Sequence, residues 1–373
     1  MAKRKSSPLH VLIACGGTGG HLFPGIAVGE VLKARGHEVT LLISEKKIDS
    51  LAASGHAGMR FEKMPFLAKP PTFSPRMIPF GMSMVSGIRA CKKLIKDRGI
   101  QVVLGMGGFT STAPVIAGRW SKCRTLVHDS NAIPGRANRL TSRFCDAVLL
   151  GFEDAASFFP KKETRVVGTP VRSELRAAAK KSNEDPYKHF GLSPDRKTLL
   201  IMGGSQGARG VNNAVAHSLN QLDALGLQVL HITGPTDYKD IRDHYQGKLI
   251  AVRSHVAAFC HRMELAYKVA DVALARSGAS TLAELACFGV PSLLVPYPSA
   301  ADDHQTKNAE IFDKAGAGIL VKETDLSPEK LASTVGLILK DDKKRANMKA
   351  AARKLAHDDA AEQIAKIIEE PAK

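Results

Sequence analysis

Aromatic residues are scarce in this chain of 373 residues: Phe, Tyr and Trp make up 5%, with a single Trp and 5 Tyr. So few rings leave little material for a platform on which nucleic-acid bases could stack, and no nucleic-acid-binding motif is recognisable. An Asp-x-Asp triplet, which would favour a divalent metal clamp, is also lacking. We therefore expect no nucleic-acid partner and no required metal.

Cysteine is sparse and apolar runs are short. The six cysteines are widely scattered without paired ligand spacing, which argues against a disulfide framework or a structural zinc site and favours buried thiols in a reducing cytosol. No run approaches the roughly 20 apolar residues that span a bilayer. The apolar stretch Val11 to Cys15 runs directly into glycines, which predicts a first strand rather than a signal peptide.

Positive charge is abundant by contrast. The chain has 53 Lys and Arg against 36 Asp and Glu, a net charge of +17. Such an excess implies an anionic partner, and with nucleic acid disfavoured the remaining classes are anionic lipid and phosphorylated substrates. The length suits two domains of ordinary size.

Apolar strands alternate with helical segments in two similar series. The first series has a strand at Leu9 to Cys15, a glycine-rich loop and a helix from about Pro24 to Arg35, and the second opens in the same way with a strand at Lys197 to Met202. This order predicts an α/β protein with two Rossmann-like domains and a ligand between the carboxyl ends of their sheets. The expected divisions are an N-terminal domain over 1–175, a linker over 176–195, a C-terminal domain over 196–355, and a helix over 356–373 that packs across the domains.

The loop Gly16 to His21 carries four glycines, which allow a tight turn and close approach of a ligand to the backbone. Its amides and the following helix start would form an anion site. A tight turn without a ligand is the alternative. His21 stands at the end of the loop, where a general base could face the substrate, although a lone histidine is more often structural.

The loop at 203–208 repeats this pattern, with Ser205 as a hydroxyl donor toward a diphosphate. Further on, Arg276 to Thr281 leads into a helix that contains Glu284. This arrangement predicts a phosphate at the helix start and a ribose whose hydroxyls the carboxylate accepts. The alternative is an ordinary cap by Ser280 or Thr281, with Glu284 as the capping-box partner.

These motifs belong to a longer series in fixed order. It comprises Gly16 to His21, Gly105 to Phe109, His128 to Asn131 with Pro134, Gly135 and Asn138, Gly168 to Arg172, Gly203 to Ala208, Arg276 to Glu284, and His304-Gln305 with Asn308-Ala309. Over nearly the whole chain this series closely resembles the MurG family, glycosyltransferase family 28. Proteins of that family have the GT-B fold and transfer N-acetylglucosamine (GlcNAc) from UDP-GlcNAc to undecaprenyl-diphospho-muramoyl-pentapeptide, which converts lipid I to lipid II.

The resemblance implies the same inverting transfer in peptidoglycan synthesis, with UDP-GlcNAc and lipid I as substrates and no cofactor. It also implies a peripheral position at the cytoplasmic face of the inner membrane, against an anionic surface, where other cell-wall synthesis proteins are candidate partners.

By position, the resemblance assigns the UDP-GlcNAc site to residues of both halves. In the first half these are Thr18, Gly19, Gly20, Asn131 and Arg172, and in the second half Ser205, Cys260, Ala279, Ser280, Thr281, Leu282, Ala283, Glu284, Gln305 and Asn308. It implies that Asn131, Gln305 and Asn308 contact the sugar, that Arg172 and Ser205 hold the diphosphate region, that the main chain at Cys260 meets the uracil, and that Glu284 binds the ribose.

Two residues are candidates for the catalytic base. His21 is the first candidate, and Asp129 is the second because it precedes the sugar-binding Asn131. The family usually has His-Glu-Gln-Asn where this chain has His128-Asp129-Ser130-Asn131. The chain also has Thr at positions 110 and 169, where the family usually has Val and Asn.

The stretch from Phe66 to Lys96 mixes apolar and cationic residues. An apolar face rimmed by cations suits attachment to an anionic leaflet without crossing it. The alternative is a helix whose apolar side packs in the core and whose lysines are solvated.

Two other functions remain open from the residues. A UDP-GlcNAc 2-epimerase also has two Rossmann-like domains but needs no lipid acceptor, and a noncatalytic scaffold would bind the UDP-sugar without turnover. UDP release that depends on lipid I would separate the transferase from both.

Overall fold

The computed structural model describes residues 8–45, 58–64, 77–181, 184–204, 207–246 and 252–371. The chain divides into two compact units. The first unit comprises Met1–Arg172 and His357–Lys373, and the second comprises Ser173–Ala356.

The first unit is built on a seven-stranded sheet in the order β3-β2-β1-β4-β5-β6-β7, with every neighbouring pair parallel. Its strands are β1 His10–Ala14, β2 Glu38–Ile43, β3 Arg60–Lys63, β4 Val102–Gly105, β5 Arg124–Asp129, β6 Ala147–Leu150 and β7 Glu163–Val166. The inner strands β1, β4 and β6 are buried along their whole length, which fits their continuous apolar sequences.

Helices cover the first sheet. They are α1 Gly19–Ala34, α2 Met77–Arg98, α3 Thr112–Trp120, α4 Arg136–Thr141 and, from the end of the chain, α15 Ala360–Glu369. The last helix packs on α1, and its buried face includes Ile364 and Ile368 in the same core as Ile13 and Leu41. Ion pairs join the end of the chain to this unit, because Glu369 binds Arg35 and His37 and Glu370 binds Arg124 and Arg165.

The second unit repeats the architecture with six parallel strands in the order β10-β9-β8-β11-β12-β13. The strands are β8 Thr198–Met202, β9 Gln228–Ile232, β10 Ser254–Ala257, β11 Val272–Ala275, β12 Ser292–Leu294 and β13 Gly318–Leu320. Its helices are α5 Ser173–Lys180, α6 Pro186–Phe190, α7 Arg209–His217, α8 Leu219–Asp223, α9 Tyr238–Gln246, α10 Met263–Val269, α11 Ala279–Phe288, α12 His304–Lys314, α13 Pro328–Leu339 and α14 Asp342–Lys354.

Two sequence-based expectations need correction. Helix α1 begins at Gly19 and not near Pro24, so the proline lies inside the helix and not at its start. The predicted linker 176–195 forms most of α5 and all of α6, which belong to the second unit. The last helix is a part of the first unit and shares its core, and its packing across the domains stays a prediction.

All six cysteines are free thiols, and five of them are buried. Among the described residues, no helix is both long enough and apolar enough to cross a membrane.

Candidate active site

The first glycine loop joins β1 to α1. A Cβ at Gly16 would collide with the backbone nitrogen of Ser44, and Gly17 has a φ of 111°, so both positions require glycine. Thr18 is the N-cap of α1 and makes no side-chain cap bond. The loop therefore presents the backbone amides of Gly19 and Gly20 at a helix start, an arrangement suited to an anion.

His21 lies in the first turn of α1. Its Nδ1 is 3.2 Å from Oγ1 of Thr18, and its ring lies against the glycine turn that follows β4. A Cβ at Gly107 would be 2.8 Å from Nε2 of His21, and Gly107 has a φ of 118°. The bare glycine turn is therefore what makes room for the imidazole.

Two hydroxyls tie the two glycine segments of the first unit together. Oγ1 of Thr110 donates to the carbonyl of Gly16 at 2.8 Å, and Oγ of Ser111 lies 3.0 Å from the carbonyl of Ala14 and 2.8 Å from that of Gly107. Thr110 is a departure from the family pattern, and here its hydroxyl holds the loop beside His21. Thr110 therefore makes a hydrogen bond to the loop that a valine at this position could not make.

Asp129, the second candidate base, is buried at the end of β5, and its carboxylate holds the loop that follows. Oδ1 accepts from the amide of Asn131 at 3.0 Å, while Oδ2 accepts from the amide of Gly135 at 3.0 Å and from Nδ2 of Asn138 at 2.8 Å. Burial raises the pKa of Asp129, and these hydrogen bonds oppose the rise. The carboxylate thus shapes the loop that carries Asn131, which is half-buried.

His128 is fully buried beside this loop. Its Nε2 is 2.9 Å from the carbonyl of Gly168, which can only accept, so Nε2 carries the proton and Nδ1 accepts from the hydroxyl of Ser130 at 3.4 Å. Burial and, to a smaller extent, the charge of His21 lower the pKa of His128 to about 4, while the hydrogen bond to Gly168 opposes the fall. His128 is therefore a neutral structural side chain.

Arg172 is the last residue of the first unit before the chain enters the second. Its guanidinium carbon lies 4.6 Å from the centroid of the Phe23 ring, a cation–π contact with α1. This contact fixes the side chain to the helix that begins at the first glycine loop.

The second glycine loop joins β8 to α7. A Cβ at Gly203 would collide with the backbone of Ala208, and one at Gly207 would lie 2.5 Å from the carbonyl of Thr233. Gly204 and Gly207 both have positive φ, at 83° and 77°. Ser205 lies outside the described residues, so its predicted contact with a diphosphate stays a prediction.

Helix α11 begins without a side-chain cap. Its N-cap is Gly278, which makes no side-chain hydrogen bond, so Ser280 and Thr281 lie within the first turn and are not the caps that the alternative required. Oε2 of Glu284 accepts from the hydroxyl of Tyr267 at 2.6 Å. The N-terminus of α11 is therefore an arrangement suited to an anion, and the glutamate is oriented by a buried tyrosine.

Gln305 and Asn308, from the first two turns of α12, hold the segment just before α11. The hydroxyl of Ser277 donates to the carbonyl of Gln305 at 2.8 Å, and Nδ2 of Asn308 donates to the carbonyl of Ser277 at 3.1 Å. Oε1 of Gln305 accepts from the amide of Tyr297 at 2.9 Å. The structure therefore places Gln305, Asn308 and the start of α11 in one cluster.

Cys260 lies in the loop between β10 and α10. Its side chain is half-buried, and burial raises the pKa of the thiol. The preceding Phe259 is 51% exposed, and its ring stacks edge-on with His261 at 4.8 Å between centroids. An exposed ring at this position suits contact with a flat base.

Sequence reasoning missed the residues that orient the site. Tyr267 is not predicted, and Asn138 appears only as part of a motif. A tyrosine 17 residues before Glu284 carries no spacing signal, because the two meet through the packing of α10 on α11. Within the described residues, no cluster of three or more His, Cys, Asp or Glu could hold a metal ion.

On the first unit's surface, α2 presents a stripe along one side. Three apolar side chains, Ile78, Met82 and Val85, are 73%, 69% and 49% exposed. The helical period continues the stripe through four exposed cations, Arg89, Lys92, Lys93 and Lys96. The opposite side of the helix packs in the core through Ile88, Cys91 and Ile95, so the core-packing alternative describes only that side. Residues 66–76 of the predicted contact stretch lie outside the described residues.

Comparison with known proteins decides the family. Residues 11–150 match the glycosyltransferase family 28 N-terminal domain, and residues 198–364 match the family 28 C-terminal domain. The chain belongs to glycosyltransferase family 28.

Relatives within the family match it along its length. A UDP-N-acetylglucosamine--N-acetylmuramyl-(pentapeptide) pyrophosphoryl-undecaprenol N-acetylglucosamine transferase of Citrifermentans bemidjiense is 34% identical over 372 residues, with 95% of this chain and 98% of the relative covered. The enzyme of the same name from Shewanella sediminis is 35% identical over 360 residues, with 96% and 95% covered.

Solved structures confirm the GT-B fold class. MurG of Acinetobacter baumannii superposes with a TM-score of 0.75 at 25% identity, covering 97% of this chain and 99% of that one. A Listeria monocytogenes protein provisionally named a UDP-N-acetylglucosamine 2-epimerase gives a TM-score of 0.70 at 14% identity, covering 96% and 95%. The second likeness extends to the fold alone, so the fold does not separate transferase from epimerase.

Proposed function

We propose that this family 28 glycosyltransferase transfers GlcNAc from UDP-GlcNAc to the C4 hydroxyl of the muramoyl sugar of lipid I, giving lipid II. The observation that carries the proposal is the 34% identity, over 95% of this chain, to a relative named for that transfer. The motif series runs in family order across both units, which supports the same substrates.

The second unit holds the nucleotide-sugar in this proposal. The diphosphate meets the amides at the start of α11 and the glycine loop after β8, where close packing requires glycine at positions 203 and 207. Glu284, oriented by Tyr267, accepts hydrogen bonds from the ribose hydroxyls. Gln305 and Asn308 face the transferred sugar, and the main chain at Cys260 meets the uracil.

The first unit supplies the general base in this proposal, and His21 fits that role better than Asp129. The carboxylate of Asp129 already accepts three hydrogen bonds that shape its loop, whereas His21 stands half-exposed at a helix start. Nδ1 of His21 lies 3.2 Å from Oγ1 of Thr18, and we assign Nε2 as the atom that takes the proton of the acceptor hydroxyl.

The reaction is a single displacement. The acceptor C4 oxygen attacks the anomeric carbon of GlcNAc from the face opposite UDP, its proton passes to His21, and the bond to the diphosphate oxygen breaks. Inversion converts the α-linked donor to a β-linked product. Negative charge grows on the departing diphosphate, where Arg172 and the amides at the start of α11 stabilise it.

We also propose that the exposed stripe on α2 contacts an anionic leaflet. Ile78, Met82 and Val85 would enter the headgroup boundary, while the cations from Arg89 to Lys96 meet lipid phosphates. A double variant, Ile78→Ser with Met82→Ser, should reduce cosedimentation with phosphatidylglycerol vesicles. The matched control is Leu337→Ser, since Leu337 is 53% exposed in the second unit. Equal binding by the double variant and the wild type would reject the membrane contact.

The transfer is tested by UDP release from UDP-GlcNAc with and without a lipid I analogue. The proposal expects release only when the acceptor is present. Conversion of UDP-GlcNAc to its 2-epimer without acceptor would favour the epimerase, and tight UDP binding without any turnover would favour the scaffold.

A further inference from the structure

A chain of buried polar side chains lies behind the glycine loop of the second unit. His231, near the end of β9, is completely buried. Its Nδ1 is 3.1 Å from the hydroxyl of Tyr245 on α9, and its Nε2 is 3.1 Å from Oδ1 of Asn212 on α7. None of the roles proposed above uses this histidine.

The direction of each hydrogen bond follows from the acceptors at one end. Nδ2 of Asn212 donates to the carbonyl of Thr233 and to Oδ2 of Asp237, both at 2.8 Å. Because both are acceptors, Oδ1 of Asn212 is left to accept, so Nε2 of His231 carries the proton and Nδ1 accepts from Tyr245. Burial lowers the pKa of His231 to about 3, which keeps the ring neutral and this pattern fixed.

The series of hydrogen-bonded side chains from Tyr245 to Asn212 ends at the glycine loop. Asn212 holds the carbonyl of Thr233, and that carbonyl packs against Gly207, where a Cβ would lie only 2.5 Å away. The backbone N–H of Asn212 donates to the carbonyl of Ala208 at 2.8 Å, the ordinary hydrogen bond of a helix start. The side chain of Asn212 therefore fixes the Thr233 carbonyl against which Gly207 packs, and its backbone joins Ala208 to α7.

We propose that His231 is a positioning residue for the UDP-sugar diphosphate, acting through Asn212 and Thr233 on the glycine loop. The inference rests on the function proposed for that loop. Without the N–H of His231, the amide of Asn212 can rotate and its grip on Thr233 weakens. The loop amides would then have to be ordered by the ligand, which reduces its affinity.

Three variants test the hydrogen-bonded side chains Tyr245, His231 and Asn212 at different points. His231→Leu removes both ring nitrogens, His231→Gln keeps a donor near the position of Nε2, and Tyr245→Phe removes only the bond to Nδ1. The control is Gln228→Met at the opposite end of β9. Gln228 is also completely buried, and its amide binds the carbonyl of Ser193 at 2.7 Å and Oγ1 of Thr198 at 2.9 Å.

UDP binding to the full chain, measured by calorimetry, is the first readout. His231→Leu should weaken UDP about tenfold, and Tyr245→Phe about threefold, as expected for buried hydrogen bonds of this kind. His231→Gln should stay within about threefold of the wild type, and Gln228→Met should lower Tm without changing UDP affinity. If His231→Leu does not fold, Tyr245→Phe decides.

Amide hydrogen exchange without ligand is the second readout. Exchange at residues 207–212 should speed up in His231→Leu and Tyr245→Phe but not in Gln228→Met. Unchanged UDP affinity in both His231→Leu and Tyr245→Phe, or equal weakening by Gln228→Met, would overturn the positioning role. A wild type that binds no UDP would refute the proposed function instead. Amide exchange at residues 207–212 would still show whether His231 orders the loop.

Discussion

The two glycine loops of the molecule share a local structure but differ in the side chain that follows the loop. Each follows the first strand of its unit in sequence, requires glycine on steric grounds and precedes a helix. The first is followed within one helical turn by His21, whereas the loop 203–208 contains no titratable residue. In the proposed function both loops meet anions through their backbone amides, and only the first is followed by a side chain that can take a proton.

Charge differs between the units in the same sense. The first unit has 28 Lys and Arg against 16 Asp and Glu, and the second has 25 against 20, which gives excesses of 12 and 5. A stronger positive field on the unit with the exposed α2 stripe fits a lipid diphosphate acceptor on that unit. The first unit would then serve the membrane-bound substrate and the second the soluble nucleotide-sugar.

Replacing His21 should give the largest effect and would break the comparison at the first loop. His21→Ala should lower kcat by about 10² to 10⁴, the usual contribution of a general base, with UDP affinity unchanged. Steady-state kinetics and calorimetry measure the two. His217→Ala is the control, since His217 is an exposed histidine at the end of α7. A kcat near the wild-type value would remove His21 from the mechanism.

Adding a methyl group to the first loop tests its steric requirement. Gly16→Ala should destabilise the first unit by about 1–3 kcal/mol, because the new Cβ collides with the backbone at Ser44. Gly135→Ala is the matched control in the same unit, since Gly135 has a φ of −60° and a Cβ added there would meet no neighbouring atom within 4 Å. Denaturant unfolding gives both values, and equal stabilities would contradict the packing argument.

Glu284 carries the nucleotide side of the comparison. Glu284→Gln should weaken UDP about tenfold, because a charged acceptor for the ribose hydroxyls becomes a neutral amide. Tyr267→Phe should act in the same direction but more weakly, since it removes only the orienting bond. Calorimetry with UDP and with UMP measures the loss. Full affinity in Glu284→Gln would place the ribose elsewhere.

Acid stability should show the smallest effect, and it compares two completely buried histidines, His128 in the first unit and His231 in the second. Burial lowers the pKa of His128 to about 4 and that of His231 to about 3, from an ordinary value of 6.5. The unfolded chain therefore binds protons that the folded chain does not, so stability is complete above pH 6.5 and is lost as the pH falls toward 4. His128→Gln and His231→Gln should each flatten the fall in Tm between about pH 7 and 5. An unchanged slope would contradict this assignment.

The fold was predictable where strands are buried and apolar, as in β1, β8 and β11. The edge strands β3, β7 and β13 were not, because β3 and β7 carry mostly polar side chains and β13 has only three residues, too few for a periodic signal. The start of α1 is misleading in the sequence because proline favours the first turn of helices, yet Pro24 lies in the second turn.

The loops of the candidate site were predictable, but the hydrogen bonds that hold them were not. Glycine spacing indicated both anion-binding segments and the helix of Glu284. The bond from Thr110 to Gly16 spans 94 residues and depends on β1 and β4 lying side by side, a register that no local pattern contains. The roles of Asp129 and Asn138 in shaping their loop likewise follow from the turn geometry after β5.

The product of the reaction tests the central claim most directly. The chain would be incubated with UDP-GlcNAc and a lipid I analogue, and the product analysed by mass spectrometry and by NMR of the new anomeric centre. The account predicts one added GlcNAc in β linkage to the C4 oxygen of the muramoyl sugar. An α linkage, or an acceptor recovered unchanged while UDP-GlcNAc is consumed, would contradict it.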